Sequence, residues 1–159
     1  MQKPADLRAA ITAAYPEFAR DPDRLNMWVE HGRVRSPMVP NRGFTAEYTL
    51  NITIVSMTGD PNVIFLAIND WLRANQPDLA SPAPNSGYEF EADIVDQQTI
   101  DLHVMLKLTE QIASMPNGTG FALQSVPEPD MSWLTGNDAL TTPSVDLSAI
   151  IPAEGTPPA

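Results

Sequence analysis

Polar and apolar residues alternate without a break between Phe44 and Ile54. Six apolar residues occupy every second position: Phe44, Ala46, Tyr48, Leu50, Ile52 and Ile54. Polar residues fill the positions between them. An alternation of this length is typical of a β-strand with one buried face. We therefore predict a long strand here, and it is the strongest strand signal in the chain.

Shorter alternating segments predict further strands. Residues 88–94 alternate aromatic and aliphatic side chains with carboxylates, and residues 100–108 place an apolar residue at every second position. The four polar residues between the two patterns predict a hairpin. Asn117-Gly118, a favoured type I′ turn pair, predicts a last strand over residues 119–126. Residues 25–31 are interpreted as a short strand.

Two segments have helical spacing instead. The first begins near Pro4, and its predicted buried stripe is Leu7, Ile11, Ala14, Tyr15 and Phe18. Pro16 interrupts this pattern, so the helix should kink or restart there.

The second helix is predicted over residues 61–76, with Asp60 as N-cap and Pro61 in the first turn. Its predicted core stripe is Ile64, Ile68, Trp71 and Leu72. Phe65 and Leu66, together with Val63, widen the apolar surface beyond this stripe. A helix that is apolar on most sides is buried on most sides. We therefore expect Phe65 and Leu66 to contact a neighbouring subunit.

These elements predict an α+β domain: an antiparallel β-sheet of four to five strands with two main helices packed on it. We place this domain at residues 1–126. Six of the sixteen prolines fall in residues 127–159, which we interpret as an extended Pro-rich C-terminal arm. The arm contains Trp133 and Ile150, and we expect these apolar residues to dock on an adjacent subunit or on a partner protein. A disordered tail is the alternative.

Composition narrows the possible partners. The formal net charge is −11, and nine basic residues against twenty acidic ones do not supply the broad basic face that duplex DNA requires. The longest apolar run, Val63–Ile68, is far shorter than the roughly 18 residues of a membrane span. We therefore expect no specific nucleic-acid binding and no membrane insertion.

The chain offers little for catalysis or cofactor binding. It has two histidines and no cysteine, and it lacks the glycine-rich, nucleophile-elbow, metalloprotease and EF-hand patterns. We expect no catalytic, cofactor or metal site, and no enzyme activity. Glu89, Glu91 and Asp93 would line one face of a strand. A cation site or an acid/base pair is one interpretation, and a solvated acidic face, or one that borders a channel, is the other.

Basic residues gather in one region. Arg33 and Arg35, with Arg42, are interpreted as a loop cluster. They either pair with carboxylates of a neighbouring subunit or belong to the ordinary solvated surface.

The sequence resembles the tail completion protein R family of contractile-tailed phages. The resemblance covers residues 3–128, in order and with similar spacing. Its most specific stretch runs from Trp71 to Asp78 (Trp-Leu-Arg-Ala-Asn-Gln-Pro-Asp). Further matches are Lys3-Pro4, Leu7-Arg8, Tyr48-Thr49-Leu50-Asn51, Thr58-Gly59-Asp60, Ala92-Asp93-Ile94 and Leu106-Lys107-Leu108-Thr109-Glu110.

The resemblance implies a structural role. Members of the family join the growing tail at its head-proximal end and stop polymerisation of the tube and sheath. The implied partners are further copies of the chain in a homohexameric ring, the tail tube protein, the tail sheath protein and neck or head-completion proteins. The implied location is the virion tail, after assembly in the host cytoplasm. A transient assembly adaptor and a carboxylate-dependent hydrolase are the alternatives.

Overall fold

A computed structural model describes residues 1–37, 42–84, 86–96 and 98–129. Trp133 and Ile150 of the predicted arm lie outside these residues. In chain order the helices are α1 (Lys3–Ala14), α2 (Glu17–Arg20) and α3 (Pro61–Asn75), with a 3₁₀ turn at Pro22–Arg24. The strands are β1 (Leu25–Arg35), β2 (Phe44–Met57), β3 (Glu89–Ile94), β4 (Ile100–Asn117) and β5 (Gly120–Val126). The predicted α+β class, with its antiparallel sheet and two main helices, is confirmed.

The long strand β4 organises the sheet. The strand order is β1-β2-β4-β3, and all pairings are antiparallel. One edge of β4 pairs with β2. The opposite edge is shared, because β3 pairs along Ile100–Met105 and β5 pairs along Gln111–Asn117.

One face of the sheet carries the helices and the core. The predicted alternation of β2 and β4 is confirmed by eight buried apolar side chains, which form one cluster with α1 and α3: Tyr48, Leu50, Ile52, Ile54, Leu102, Val104, Leu106 and Leu108. The predicted stripe of α3 is confirmed: Ile64, Ile68, Trp71 and Leu72 are all buried. None of the described helices is long and apolar enough to cross a membrane.

Pro16 has the predicted effect on the first helical segment. Helix α1 ends at Ala14, and the chain restarts as the short α2 at Glu17. Leu7, Ile11 and Phe18 are buried as expected. The prediction for Ala14 was wrong, since its side chain is exposed in the last turn of α1.

Two residues of the Thr58-Gly59-Asp60 stretch have structural roles in the turn before α3. Asp60 caps α3, because its carboxylate accepts a hydrogen bond from the backbone N–H of Asn62 at 2.9 Å. Gly59 lies against the ring of Tyr15, and a Cβ atom there would be 2.8 Å from Tyr15 Cε2. Glycine therefore lets the turn approach α1 closely.

Four local predictions, two about β1 and two about the β4–β5 turn, were wrong. Strand β1 is longer than residues 25–31, so Arg33 and Arg35 lie in a strand and not in a loop. The β4–β5 turn is centred on Gly118-Thr119, one residue later than predicted. A type I′ turn needs positive φ at both central residues, whereas a type II′ turn needs it only at the first. Gly118 has φ 57° and φ of Thr119 is not positive, so the turn is closer to type II′.

Candidate interaction surfaces

A buried carboxylate joins the first helix to the sheet. Glu110 of β4 is 1% exposed. It accepts hydrogen bonds from the backbone N–H groups of Gln2 at 3.0 Å and Lys3 at 3.3 Å, and from the hydroxyl of Tyr48. Because the N-terminal N–H groups of a helix have no partner within it, a carboxylate placed there also meets the positive end of the helix dipole. Glu110 thus caps α1 from a distant strand.

Lys3 covers the part of the β4 edge that neither β3 nor β5 reaches. Its ammonium group donates to the carbonyl of Thr109 at 2.7 Å, to Gln76 Oε1 at 2.8 Å and to Glu128 Oε1 at 2.8 Å. Gln76 Oε1 also accepts the backbone N–H of Thr109 at 3.1 Å. The end of α3, the start of α1 and the segment after β5 therefore meet at one buried point. All of these polar groups are engaged in holding the fold.

Burial raises the pKa of Tyr48 well above its usual value, and the hydrogen bond to Glu110 and the charge of that carboxylate add to the effect. Since the folded-state pKa is above the unfolded value of about 10, this contribution to stability is complete below about pH 10 and is lost as the pH rises further. We predict that the free energy of unfolding of the wild type falls steeply above about pH 10. Tyr48→Phe should reduce that slope, measured by urea unfolding at a series of pH values. Identical slopes for both proteins would contradict the assignment.

The helix-free face of the sheet contains an aromatic stack. Trp28 of β1 and His103 of β4 lie parallel across β2, with ring centroids 5.7 Å apart. Asn51 of β2 is buried, contacts His103 Nε2 through its Oδ1 at 3.2 Å and donates to Glu30 at 3.2 Å. Local periodicity gives no signal for this stack, because its members are far apart along the chain.

The acidic residues Glu89, Glu91 and Asp93 share this helix-free face. All three side chains are exposed on β3, opposite Met105, His103 and Asp101 respectively. In the described parts of the chain, no three His, Cys, Asp or Glu side chains come together as a metal site would require. Their role beside a channel stays a prediction.

Apolar side chains are exposed where α3 meets β3. Phe65 is half-buried, and its ring lies 4.7 Å from that of Phe90 and 6.4 Å from that of Tyr88. Leu66 is 62% exposed. We use the name α3–β3 patch for the exposed apolar side chains of these two elements: Val63 and Leu66 of α3, Phe90 and Ile94 of β3, and Val95 directly after β3.

A second apolar surface lies on the β4–β5 hairpin, which the sequence analysis did not single out. Met115, Phe121, Leu123 and Val126 are exposed there. The Arg42 guanidinium lies 4.5 Å above the ring of Phe121. Alternation was weak in this segment because both faces of the hairpin are open to solvent.

Arg33 and Arg35 are exposed at the end of β1. Arg35 forms an ion pair with Glu47 of the adjacent strand at 3.1 Å. Whether the two arginines contact a neighbouring subunit stays a prediction.

The family model for P2 phage tail completion protein R (GpR) matches residues 1–129. A curated relative, tail completion protein R of Escherichia phage P2, is 31% identical over 131 residues, which cover 81% of this chain and 84% of the relative. The chain belongs to the phage tail completion protein R family. No solved structure matches it.

The family assignment makes the chain a phage tail protein that acts in tail completion. The matched region coincides with the α+β domain and includes the buried contacts of Lys3, Gln76 and Glu110. The segments that match the family therefore contain residues that stabilise the fold.

Proposed function

We propose that this protein caps the head-proximal end of a contractile phage tail, or of a phage-tail-like particle. A ring of six identical subunits stops polymerisation of the tail tube and sheath proteins and offers a docking surface to neck or head-completion proteins. The observation that carries the proposal is the match to tail completion protein R over residues 1–129.

The surface of the domain supports a role in assembly. The α3–β3 patch and the β4–β5 hairpin both expose several large apolar side chains. Extended apolar surfaces on a small domain mark contacts with other proteins. The formal net charge of −11 suits a ring through which DNA slides without being retained, since phosphates are repelled by carboxylates.

Removal of the protein from a producing phage tests the proposal. We expect tails without it to be uncapped, with tube and sheath of irregular length and no attached heads, as seen by negative-stain electron microscopy. Supplying the protein in trans should restore tails of one length with a ring at the head-proximal end. Tails of normal length that bind heads without the protein would contradict the proposal.

A transient assembly adaptor is the second candidate, and the same preparation distinguishes it. An adaptor would restore tail length but would be missing from the purified particle. Mass spectrometry of purified particles should detect about six copies per tail if the protein is a retained cap.

A further inference from the structure

Two outer strands of the sheet carry opposite charge. Strand β1 forms one border of the described sheet, and β3 and β5 share the other. The end of β1 contains Arg33 and Arg35, whereas β3 contains Glu89, Glu91 and Asp93. Each outer strand has one hydrogen-bonded neighbour among the described strands, so the second edge of each has backbone groups available for pairing.

The charged residues of both strands lie on the same face of the sheet. Arg33 pairs with Glu47, which pairs with Thr109 of β4, and Glu91 pairs with His103 of β4. Partners in a ladder point to the same face, and so do residues two apart along a strand. Since Thr109 and His103 are separated by an even number of positions, Arg33 and Glu91 share the helix-free face.

The residues between these charges lie on the helix-bearing face. Val34 lies between Arg33 and Arg35 and is 65% exposed. Phe90 lies between Glu89 and Glu91 and is 54% exposed. Each outer strand thus has one exposed apolar side chain flanked by two charges, positive on β1 and negative on β3.

The direction of the strands permits a continuous sheet between subunits. Because neighbouring strands are antiparallel in the order β1-β2-β4-β3, β1 and β4 run one way and β2 and β3 run the other. A second copy placed beside the first in the same orientation therefore has its β1 antiparallel to β3 of the first. The contact is heterologous, and such contacts repeat around a ring.

We infer that β3 of one subunit pairs with the end of β1 of the next subunit. In this register Val34 lies opposite Phe90, Arg33 opposite Glu91, and Arg35 opposite Glu89. Two ion pairs then form on the helix-free face and one apolar pair on the other. The inference rests on the proposed ring and names the surface through which its subunits meet.

The proposed register requires successive subunits to be staggered. Within one subunit Val34 pairs with Ala46 of β2, which pairs in turn with Glu110 of β4. Phe90 pairs with Val104 of β4. Glu110 lies six residues beyond Val104, which corresponds to about 20 Å at roughly 3.4 Å per residue. Closed sheets need a stagger of this kind, because their strands tilt relative to the axis.

Existing contacts leave the two edges available. The Arg35–Glu47 ion pair is exposed, with 57% and 36% of the side chains accessible, and exposed pairs contribute little to stability. A bulge between Glu30 and Arg33, where His31 has φ 53°, separates the end of β1 from the rest of the strand. Identical subunits with a net charge of −11 repel one another, so a local complementary contact is needed to join them.

Reversing the charges tests the inference. One variant is Arg33→Glu with Arg35→Glu, and the other is Glu89→Lys with Glu91→Lys. Each variant alone brings like charges together, and we expect its self-association to weaken by at least about 100-fold in sedimentation velocity and native mass spectrometry. An equimolar mixture should recover rings, because every contact in an alternating ring is again complementary, and the rings should contain three copies of each variant.

Matched controls change the net charge by the same amount at exposed positions away from the two edges. Arg20→Glu with Arg73→Glu controls the first variant, and Asp21→Lys with Asp23→Lys controls the second. Both controls should associate as the wild type does. If the edge variants also keep their rings, or if their mixture does not recover them, the inference is wrong and a channel lining becomes the better role for Glu89 and Glu91.

Cross-linking in assembled particles tests the edge pairing without requiring the purified wild-type protein to form rings in solution. The chain has no cysteine, so Val34→Cys with Phe90→Cys introduces the only thiols. On oxidation of purified tails we expect a ladder of linked subunits up to the closed ring, whereas either single cysteine should give no ladder. Absence of the ladder in tails that are still capped overturns the edge pairing but leaves the proposed function intact.

Discussion

Replacing Glu110 by alanine should lower the free energy of unfolding by about 3 kcal/mol. The substitution leaves the backbone N–H groups of Gln2 and Lys3 and the hydroxyl of Tyr48 without their shared acceptor, at a position that is 1% exposed. It also removes the negative charge from the N-terminus of α1. Urea unfolding followed by circular dichroism measures the difference.

Two variants separate loss of the carboxylate from a general effect of mutation. Glu110→Gln keeps the side-chain size and one acceptor oxygen, so we expect a loss of roughly half that of Glu110→Ala. Glu91→Ala removes an exposed carboxylate from a neighbouring strand of the same sheet and should change stability by less than about 0.5 kcal/mol. If Glu110→Ala unfolds at the same urea concentration as the wild type, Glu110 does not hold α1 to the sheet.

Replacing Leu66 by aspartate should abolish tail capping while leaving the domain folded. Leu66 belongs to the exposed α3–β3 patch, so a carboxylate there stays solvated in the isolated subunit. In an assembled tail the same carboxylate would be buried against apolar side chains of a neighbouring protein, which is costly without a partner. We expect a melting temperature within about 2 °C of the wild type and at least a tenfold loss of capped tails in complementation.

The same helix provides both controls. Ala74→Asp introduces an identical charge at an exposed position of α3 about two turns from Leu66 and should leave capping intact. Ile68→Asp introduces it into the core, where Ile68 is fully buried, and should unfold the domain. Normal capping by Leu66→Asp would show that the patch does not contact another tail protein. Unfolding by Leu66→Asp would show instead that Leu66 belongs to the core.

The strands and helices were predictable where one face of an element is buried. The alternation from Phe44 to Ile54 corresponds to β2, and the α3 stripe of Ile64, Ile68, Trp71 and Leu72 is buried as its spacing indicates. In both elements burial on one side imposes a period on the sequence. The end of β1 carried no such signal, because Arg33, Val34 and Arg35 are all exposed and a bulge before Arg33 interrupts the period of the strand.

Irregular backbone was less predictable than regular backbone. A bulge between Ile54 and Met57, with Ser56 at φ 53°, turns Met57 into the core and out of step with the alternation before it. The turn at Gly118-Thr119 differs by one residue from the Asn117-Gly118 pair that turn statistics favour. In both places the register of the neighbouring strand decides the geometry, and that register is a tertiary property.

Sequence by itself determined the α+β class, the two main helices, the restart at Pro16 and, through the resemblance, the tail completion family. Each of these follows from residues that are near one another along the chain or from stretches whose order is retained. Only the tertiary structure showed that Lys3, Gln76 and Glu110 meet at one buried point, and that the arginines of β1 and the carboxylates of β3 lie at opposite borders of one sheet face. Those relations join residues far apart in sequence, and strand order and register, which local periodicity does not encode, bring them together.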